Sequence, residues 1–252
     1  METLVAALRA GGQVHRRWAG KTSVSYKGRV DIVTQADKDA EKKIVSIIRR
    51  AFPGHGILAE EGTAAEGPGR PRWIIDPLDG TINFAHGVPV CCVSIGMEEG
   101  GRVTAGGVYD AFRDELFLAA RGKGARLNGK RIRVSRTAEP HKALLATGFP
   151  YDRQKRAAFY AERVRRALTV GRDVRRLGSA ALDLSYVACG RFDAYWEYNV
   201  KPWDVSAGWL LVEEAGGKVT RTDGSPYALS DTSRTLATNG RLHPAMVRLL
   251  KD

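Results

Sequence analysis

Apolar residues recur along the chain at two periods, one helical and one extended. Leu4, Ala7 and Leu8 fall on one face at helical spacing and predict a short N-terminal helix, which Gly11-Gly12 is expected to stop or weaken. A second helical face ends at Pro53-Gly54 and consists of Ala40, Ile44, Ile47, Ile48 and Phe52. Thr34, three residues before Asp37, predicts a capping box that places Asp37 in the first turn of this second helix.

From residue 90 onward the pattern changes to strands, which are predicted at 90–96, 102–109 and 115–120 with glycine-bearing turns between them. Asn128-Gly129 predicts a tight hairpin. Helices follow at 155–168, 179–189 and 205–215, the last ending at Gly216-Gly217, and strands at 193–197 and 217–222 alternate with them. Antiparallel strands followed by alternating helices and strands indicate an α+β or α/β protein. We expect two subdomains, residues 1–148 and 149–252, the first carrying most of the candidate metal ligands.

Composition is that of a globular protein, because 252 residues with 43% apolar and 27% charged residues can bury one large core or two small ones. The N-terminus, with an acid at position 2 and Arg9 after a short apolar stretch, lacks the pattern of a signal peptide. No run approaches the roughly 18 apolar residues of a membrane span. Cys91, Cys92 and Cys189 have no zinc spacing and are interpreted as reduced core residues. These features predict a cytoplasmic protein without a membrane partner.

A net charge of +12, from 40 Lys and Arg against 28 Asp and Glu, should attract anions, and both phosphorylated substrates and nucleic acid fit that charge. Basic residues are dense only between positions 153 and 176. A solvated helix face explains such a stretch most simply, although a surface for RNA or another partner stays open.

Acidic residues follow several apolar segments. Residues 73–84 read as a buried strand that ends on Asp76-Pro77-Leu78-Asp79 and then Gly80-Thr81. Pro77 has a fixed φ and no N–H, so a turn there can direct two carboxylates and the Leu78 carbonyl into one space. Such oxygen donors suit Mg²⁺. Glu60 follows another short apolar run and Asp204 follows Trp203, but each acid alone is ordinarily a strand meeting water.

Taken together and in this order, the acidic segments resemble the inositol monophosphatase family of Mg²⁺-dependent, lithium-sensitive phosphatases, its bacterial members most closely. The segments that carry the resemblance are Asp31 to Asp37, Glu60-Glu61-Gly62, Asp-Pro-Leu-Asp-Gly-Thr at 76–81 and Trp-Asp-Val-Ser-Ala-Gly at 203–208. The resemblance implies a five-layered αβαβα sandwich, a homodimer, and hydrolysis of a small phosphorylated polyol. It also implies two or three Mg²⁺ ions, with Mn²⁺ as a substitute and Li⁺ as an inhibitor.

The same resemblance implies roles for individual residues. The first Mg²⁺ would be held by Glu60, Asp76 and the Leu78 carbonyl, the second by Asp76, Asp79 and Asp204, and a weaker third by Glu60 and waters. Thr81, bonded to Asp37, would orient and help deprotonate the attacking water, and Lys27 would be a mobile cation near the metals, on a loop one residue shorter than in some relatives. The substrate would be bound by Asp79, Gly80, Thr81, Gly178, Ser179, Ala180, Glu197 and Asp204.

Physical reasoning supports metal in such a cluster, since two carboxylates about 4 Å apart repel by roughly 4 kcal/mol at an effective dielectric near 20. The chain has Asp-x-x-Asp-Gly in place of Asp-x-Asp, which argues against a phospho-aspartate intermediate and for direct attack by water. Inositol 1-phosphate is the expected substrate. Fructose 1,6-bisphosphate, histidinol phosphate and 3′-phosphoadenosine 5′-phosphate stay open as alternatives, and so does a role as an RNA-binding or transcription-complex partner. The five histidines lack ligand spacing and are interpreted as structural or exposed.

Overall fold

A computed structural model describes residues 1–21, 24–26, 32–65 and 71–251 of the chain. Lys27 and Asp31 lie outside the described residues. In the first part of the chain the elements are α1 (Glu2–Trp18), β1 (Val24–Tyr26), β2 (Ile32–Thr34), α2 (Gln35–Ala51), β3 (Gly56–Ala59), β4 (Ala64–Ala65), β5 (Arg72–Asp79), α3 (Thr81–Ala85), β6 (Cys92–Glu99), β7 (Arg102–Asp110), β8 (Glu115–Ala120), β9 (Gly124–Leu127) and β10 (Lys130–Arg131).

The second part of the chain begins with a 3₁₀ turn at Pro140–Lys142. It continues with β11 (Leu144–Thr147), α4 (Ala157–Val170), β12 (Asp173–Arg175), α5 (Ala180–Ala188), β13 (Ala194–Tyr198), α6 (Pro202–Glu214), β14 (Lys218–Thr220), β15 (Arg234–Thr238) and α7 (His243–Leu250). Within the described ranges, no helix combines the length and the apolar character that crossing a bilayer requires.

The elements stack in five layers. A large sheet has the strand order β10-β9-β8-β7-β6-β5-β3-β4, and a small sheet has the order β12-β11-β13-β15-β14. Helices α1 and α2 cover the outer face of the large sheet, α5 and α6 lie between the two sheets, and α4 and α7 cover the outer face of the small sheet. One apolar core lies between the large sheet and helices α1 and α2, another lies between the small sheet and helices α4 and α7, and the core around α5 and α6 contacts both sheets. The expected αβαβα sandwich is therefore confirmed.

The N-terminal helix does not stop at Gly11-Gly12, as the sequence had suggested, but continues to Trp18. Both glycines are buried where the helix crosses the large sheet. A Cβ on Gly11 would stand 2.8 Å from a methyl carbon of Val93, and one on Gly12 would stand 2.5 Å from the ring of Tyr109. Glycine is needed there because the helix backbone approaches the sheet closely.

Several local predictions are confirmed. The predicted capping box is present at the start of α2. The Asp37 carboxylate accepts the Thr34 N–H at 2.7 Å, and the Thr34 hydroxyl accepts the Ala36 N–H at 3.2 Å. Asn128 and Gly129 join β9 to β10 with φ of 47° and 79°, as a two-residue hairpin requires. Strands and helices elsewhere start and end within a few residues of their predicted limits.

The predicted boundary near residue 148 falls just after β11, which already belongs to the small sheet. The chain thus enters its second sheet at Leu144 and returns to the interface between the sheets through α5 and α6. The division into two subdomains stays a prediction. The cysteines are free thiols, with Cys91 and Cys92 buried and Cys189 partly buried.

Candidate active site

The site is built around the end of β5, where the pairing of that strand with β6 is interrupted by a bulge between Asp76 and Asp79. Pro77 gives no N–H to the ladder at this point. The Leu78 N–H turns back to the Asp76 carboxylate at 2.9 Å, and His15 of α1 donates a hydrogen bond from Nε2 to the Pro77 carbonyl at 2.8 Å. The bulge therefore brings both carboxylates and the Leu78 backbone to one cleft, as the motif predicted.

Acids from two other segments reach the same cleft. Its wall includes Glu60 from the turn after β3, Asp76 and Asp79 from β5, and Asp204 from the first turn of α6. Burial raises the pKa of Asp76 well above its usual range, and repulsion from Glu60, Asp79 and Asp204 raises it further. Burial raises the pKa of Asp79 to about 6. The pKa of Asp204 rises well above its usual range for the same two reasons, burial first and then repulsion from Asp79 and Glu60.

The donor set fits a hard divalent cation, although the side chains of the described residues do not form a three-ligand His, Cys, Asp or Glu arrangement that could hold a metal as it stands. One oxygen of each aspartate is held by the protein: Asp76 accepts the Leu78 N–H, Asp79 accepts the Ser179 hydroxyl and the Ala181 N–H, and Asp204 accepts the Lys201 N–H. These bonds orient the carboxylates, and the Asp76 carboxyl group also forms a hydrogen bond with the Glu60 side chain. Repulsion among Asp76, Asp79, Asp204 and Glu60 raises the pKa of Asp76 and Asp204, and a bound divalent cation would relieve that repulsion.

Thr81 and Asp37 meet beside the acids. Gly80 has a φ of 96°, which lets the chain turn sharply from β5 into α3. Thr81, the first residue of α3, directs its hydroxyl to the Asp37 carboxylate at 3.0 Å and equally to the Leu78 carbonyl at 3.0 Å. Burial raises the pKa of Asp37, while hydrogen bonds from Thr34 and Thr81 oppose that rise. The predicted Thr81–Asp37 contact is therefore present in the fold.

Gly178, Ala180 and Glu197 form a further part of the cleft wall. Burial raises the pKa of Glu197 to about 7, and the hydrogen bond that its carboxylate accepts from Tyr195 at 2.7 Å opposes the rise. Ser179 is different from the prediction, because it is only 1% exposed and its hydroxyl donates to Asp79 at 2.7 Å. Ser179 therefore holds a candidate metal ligand and does not present its side chain to the cleft.

Three residues that line the cleft were not among the site residues predicted from the sequence. Arg153 and Arg176 line the cleft, and the positive charge of Arg176 opposes the rise in the pKa of Glu197. Their basic stretch was interpreted as a solvated helix face, yet α4 covers only its middle part. Gly148 lies against Glu197, where a Cβ would stand 1.9 Å from a carboxylate oxygen. Only the packing of β11 beside β13 shows why that position needs glycine.

Comparison with known proteins agrees with this geometry. Residues 2–252 match the sequence profile of the inositol monophosphatase family. The chain is 48% identical to an inositol-1-monophosphatase of Synechocystis over 247 residues, covering 97% of this chain and 86% of the relative. It is 43% identical to the Nus factor SuhB of Escherichia coli over 251 residues, covering 98% and 93%.

Among solved structures, an inositol monophosphatase from Anabaena superposes with a TM-score of 0.90 at 45% identity, covering 99% of this chain and 94% of that one. A profile match over nearly the whole sequence, two relatives above 40% identity and the same five-layered fold lead to one assignment. The chain belongs to the inositol monophosphatase family and is a phosphoric monoester hydrolase.

Proposed function

We propose that this protein hydrolyses the phosphate monoester of a small polyol, with inositol 1-phosphate as its preferred substrate, in a Mg²⁺-dependent reaction. The observation that carries the proposal is the convergence of Glu60, Asp76, Asp79 and Asp204 on one cleft beside the Thr81–Asp37 pair. The similarity to an inositol-1-monophosphatase of Synechocystis supports the choice of substrate.

Glu60, Asp76, the Leu78 carbonyl, Asp79 and Asp204 are the residues that would hold the ions. Bound Mg²⁺ would neutralise the phosphoryl oxygens, acidify the attacking water and stabilise the leaving alkoxide. The bulge at Pro77 and the bonds to Leu78, Ser179 and Lys201 fix the carboxylates before any ion arrives. Because the carboxylates are already held in position, they need less reorganisation when an ion binds.

Thr81 and Asp37 would handle the proton of the attacking water. The Thr81 hydroxyl has one hydrogen, and donating it to Asp37 leaves its oxygen lone pairs to accept a hydrogen bond from water. A proton can then pass from the water through the hydroxyl to the carboxylate. Burial raises the pKa of Asp37, so the carboxylate binds that proton more tightly than an exposed aspartate would.

Glu197 would recognise the polyol. An ionised Glu197 accepts hydrogen bonds from neutral hydroxyls, and it would also suit a cationic amino alcohol such as histidinol phosphate. It opposes a second phosphate by like-charge repulsion. The arginines at the cleft favour the opposite outcome, because guanidinium groups pair well with phosphate. Arg153 and Arg176 thus make a sugar bisphosphate, such as fructose 1,6-bisphosphate, the second candidate substrate.

The test is kcat/KM for inositol 1-phosphate, histidinol phosphate and fructose 1,6-bisphosphate with wild type, Glu197→Gln and Arg176→Gln. We expect the monophosphate to be preferred and Glu197→Gln to lose most of that preference. Arg176→Gln should change turnover of the bisphosphate alone. Equal or better turnover of the bisphosphate by wild type would replace the first candidate with the second.

Association with a transcription complex is a separate proposal, supported by the 43% identity to a Nus factor and by the net charge of +12. Binding of single-stranded RNA, followed by fluorescence anisotropy at increasing salt, tests its nucleic-acid part. Salt-dependent binding would support it, and no binding at low salt would exclude it. A homodimer is also proposed from the family, and light scattering measures it directly.

A further inference from the structure

A buried carboxylate outside the cleft holds the turn on which Glu60 stands. Glu41 lies on α2 and is only 5% exposed. Its two oxygens accept three hydrogen bonds from that turn: the Glu61 N–H at 2.8 Å, the Thr63 N–H at 3.1 Å and the Thr63 hydroxyl at 2.6 Å. The carboxylate therefore acts as a clamp between the helix and the turn that follows β3.

The clamp constrains the backbone on one side of Glu60, and the large sheet constrains the other. The Glu60 N–H donates to the Ile75 carbonyl of β5 at 3.1 Å, and the next N–H, that of Glu61, donates to Glu41. Both peptide groups that flank the Glu60 Cα are thereby fixed, which sets the direction of its side chain. The turn is tight, with Ala59 N–H bonded to the Thr63 carbonyl at 3.1 Å and Gly62 at a φ of 104°.

Helix α2 also carries Asp37, one turn before Glu41, so the two side chains lie on the same side of the helix. Asp37 reaches Thr81 and Glu41 reaches the Glu60 turn. One rigid element thus connects the pair that would orient the attacking water with the turn that presents a candidate metal ligand. Their relative position is then set by helix geometry and does not depend on loop conformation.

We propose that Glu41 is a positioning residue for the metal site, acting through the Glu60 turn and touching neither metal nor substrate. The inference rests on the proposed function, since it takes Glu60 to be a metal ligand. Residues that orient metal ligands typically change metal affinity by about 10- to 100-fold when they are replaced. Loss of the clamp should accordingly weaken divalent-ion binding more than it changes turnover at saturating metal.

The direct test replaces Glu41 with glutamine, which keeps the size but turns one acceptor into an NH₂ group that faces an N–H donor. Binding of Mn²⁺ is measured by electron paramagnetic resonance of the free ion, and Mg²⁺ by competition. We expect Glu41→Gln to weaken ion binding about tenfold or more. The Mg²⁺ concentration for half-maximal phosphate release should rise in parallel, while kcat at saturating Mg²⁺ should change much less.

Thr63 supplies a second pair of variants that does not depend on the folding of Glu41→Gln. Thr63→Val removes the hydroxyl donor and should weaken ion binding a few-fold, whereas Thr63→Ser keeps the donor and should restore it. Asp193→Asn is the matched control, because Asp193 is also buried and accepts the Leu144 N–H at 2.7 Å and the Ser135 hydroxyl, but away from the cleft. This control should lose stability without losing ion affinity.

The possible results distinguish a failure of the positioning role of Glu41 from a failure of the proposed function. Wild type that binds no Mn²⁺ and releases no phosphate contradicts the proposed function itself. Wild type that binds Mn²⁺ while Glu41→Gln and Thr63→Val bind it equally well overturns the positioning role alone. The role is also overturned if the Asp193 control weakens ion binding as much as the Glu41 variant, since the effect would then be one of general stability.

Discussion

Replacing Asp79 with asparagine should abolish activity and yet make the metal-free protein more stable. The Asp79 carboxylate is a proposed metal ligand that is surrounded by other acids, so its charge is useful only when a cation is bound. Asparagine keeps the shape and an oxygen that can accept the Ser179 hydroxyl and the Ala181 N–H. It removes one unit of negative charge from the cleft.

The pKa of Asp79 sets the magnitude. Burial raises this pKa from 3.8 to about 6, so the folded protein binds a proton more tightly than the unfolded chain. The free energy of unfolding therefore falls as the pH rises from 3.8 to about 6, and the full loss of stability persists above pH 6. At about 1.4 kcal/mol per pH unit the cost is up to about 3 kcal/mol. Allowing about 1 kcal/mol for weaker hydrogen bonds, we expect a net gain of about 2 kcal/mol at pH 7.5.

Thermal unfolding with and without Mg²⁺ measures this effect. For a chain of this size, about 2 kcal/mol should raise the metal-free Tm by about 4–8 °C. Added Mg²⁺ should raise the Tm of wild type by mass action and leave Asp79→Asn almost unchanged. Phosphate release should fall to a small fraction of the wild-type value.

Asp110→Asn is the matched control, because Asp110 is buried but pairs with Arg113 at 2.7 Å outside the acidic cluster. It should lower the Tm equally with and without Mg²⁺. An Asp79→Asn protein that is less stable without metal would refute the argument that burying the charged Asp79 carboxylate destabilises the metal-free fold. Retention of more than roughly a tenth of wild-type kcat, a barrier change below about 1.4 kcal/mol, would refute the ligand assignment.

Four further measurements test other parts of the site. Glu60→Gln should reduce the Mg²⁺-induced rise in Tm. Millimolar Li⁺ should inhibit the wild-type enzyme, and an enzyme that Li⁺ does not inhibit would contradict the expected sensitivity. Burial lowers the pKa of His15 from 6.5 to about 4, so stability in urea should fall by up to about 3 kcal/mol as the pH drops through that window. His15→Gln should flatten this dependence, and an unchanged slope would contradict the assignment to His15. Gly148→Ala should displace Glu197 and raise KM far more than it changes Tm, whereas an unaltered KM would show that the pocket can adjust.

Local sequence determined the features that depend on neighbouring residues. Thr34 and Asp37 are three positions apart, and that spacing alone produces the capping box that begins α2. Asn128-Gly129 tolerates positive φ at both positions and so forms the two-residue hairpin. The Asp76-Pro77-Leu78-Asp79 segment interrupts its own strand because Pro77 lacks a donor, which directs two carboxylates to one place. Such interactions act within a few residues, so the order of residues is enough to predict them.

Tertiary packing decided the features that depend on residues far apart in the chain. Gly11 and Gly12 continue α1 because Val93 and Tyr109 lie against them, and nothing near them in sequence indicates that contact. Ser179 turns away from the cleft because Asp79, a hundred positions earlier, accepts its hydroxyl. Arg153 and Arg176 reach the cleft through the packing of the small sheet. Glu41, on α2, contacts the turn that carries Glu60.

The chain by itself therefore specified which acids could form a metal site and, through its motifs, which family and fold they indicate. Only the folded protein showed what holds those acids in place and what else faces the substrate. The reason is that side-chain direction and burial are set by contacts between distant segments. Those contacts give a free-energy minimum only when all five layers are packed together.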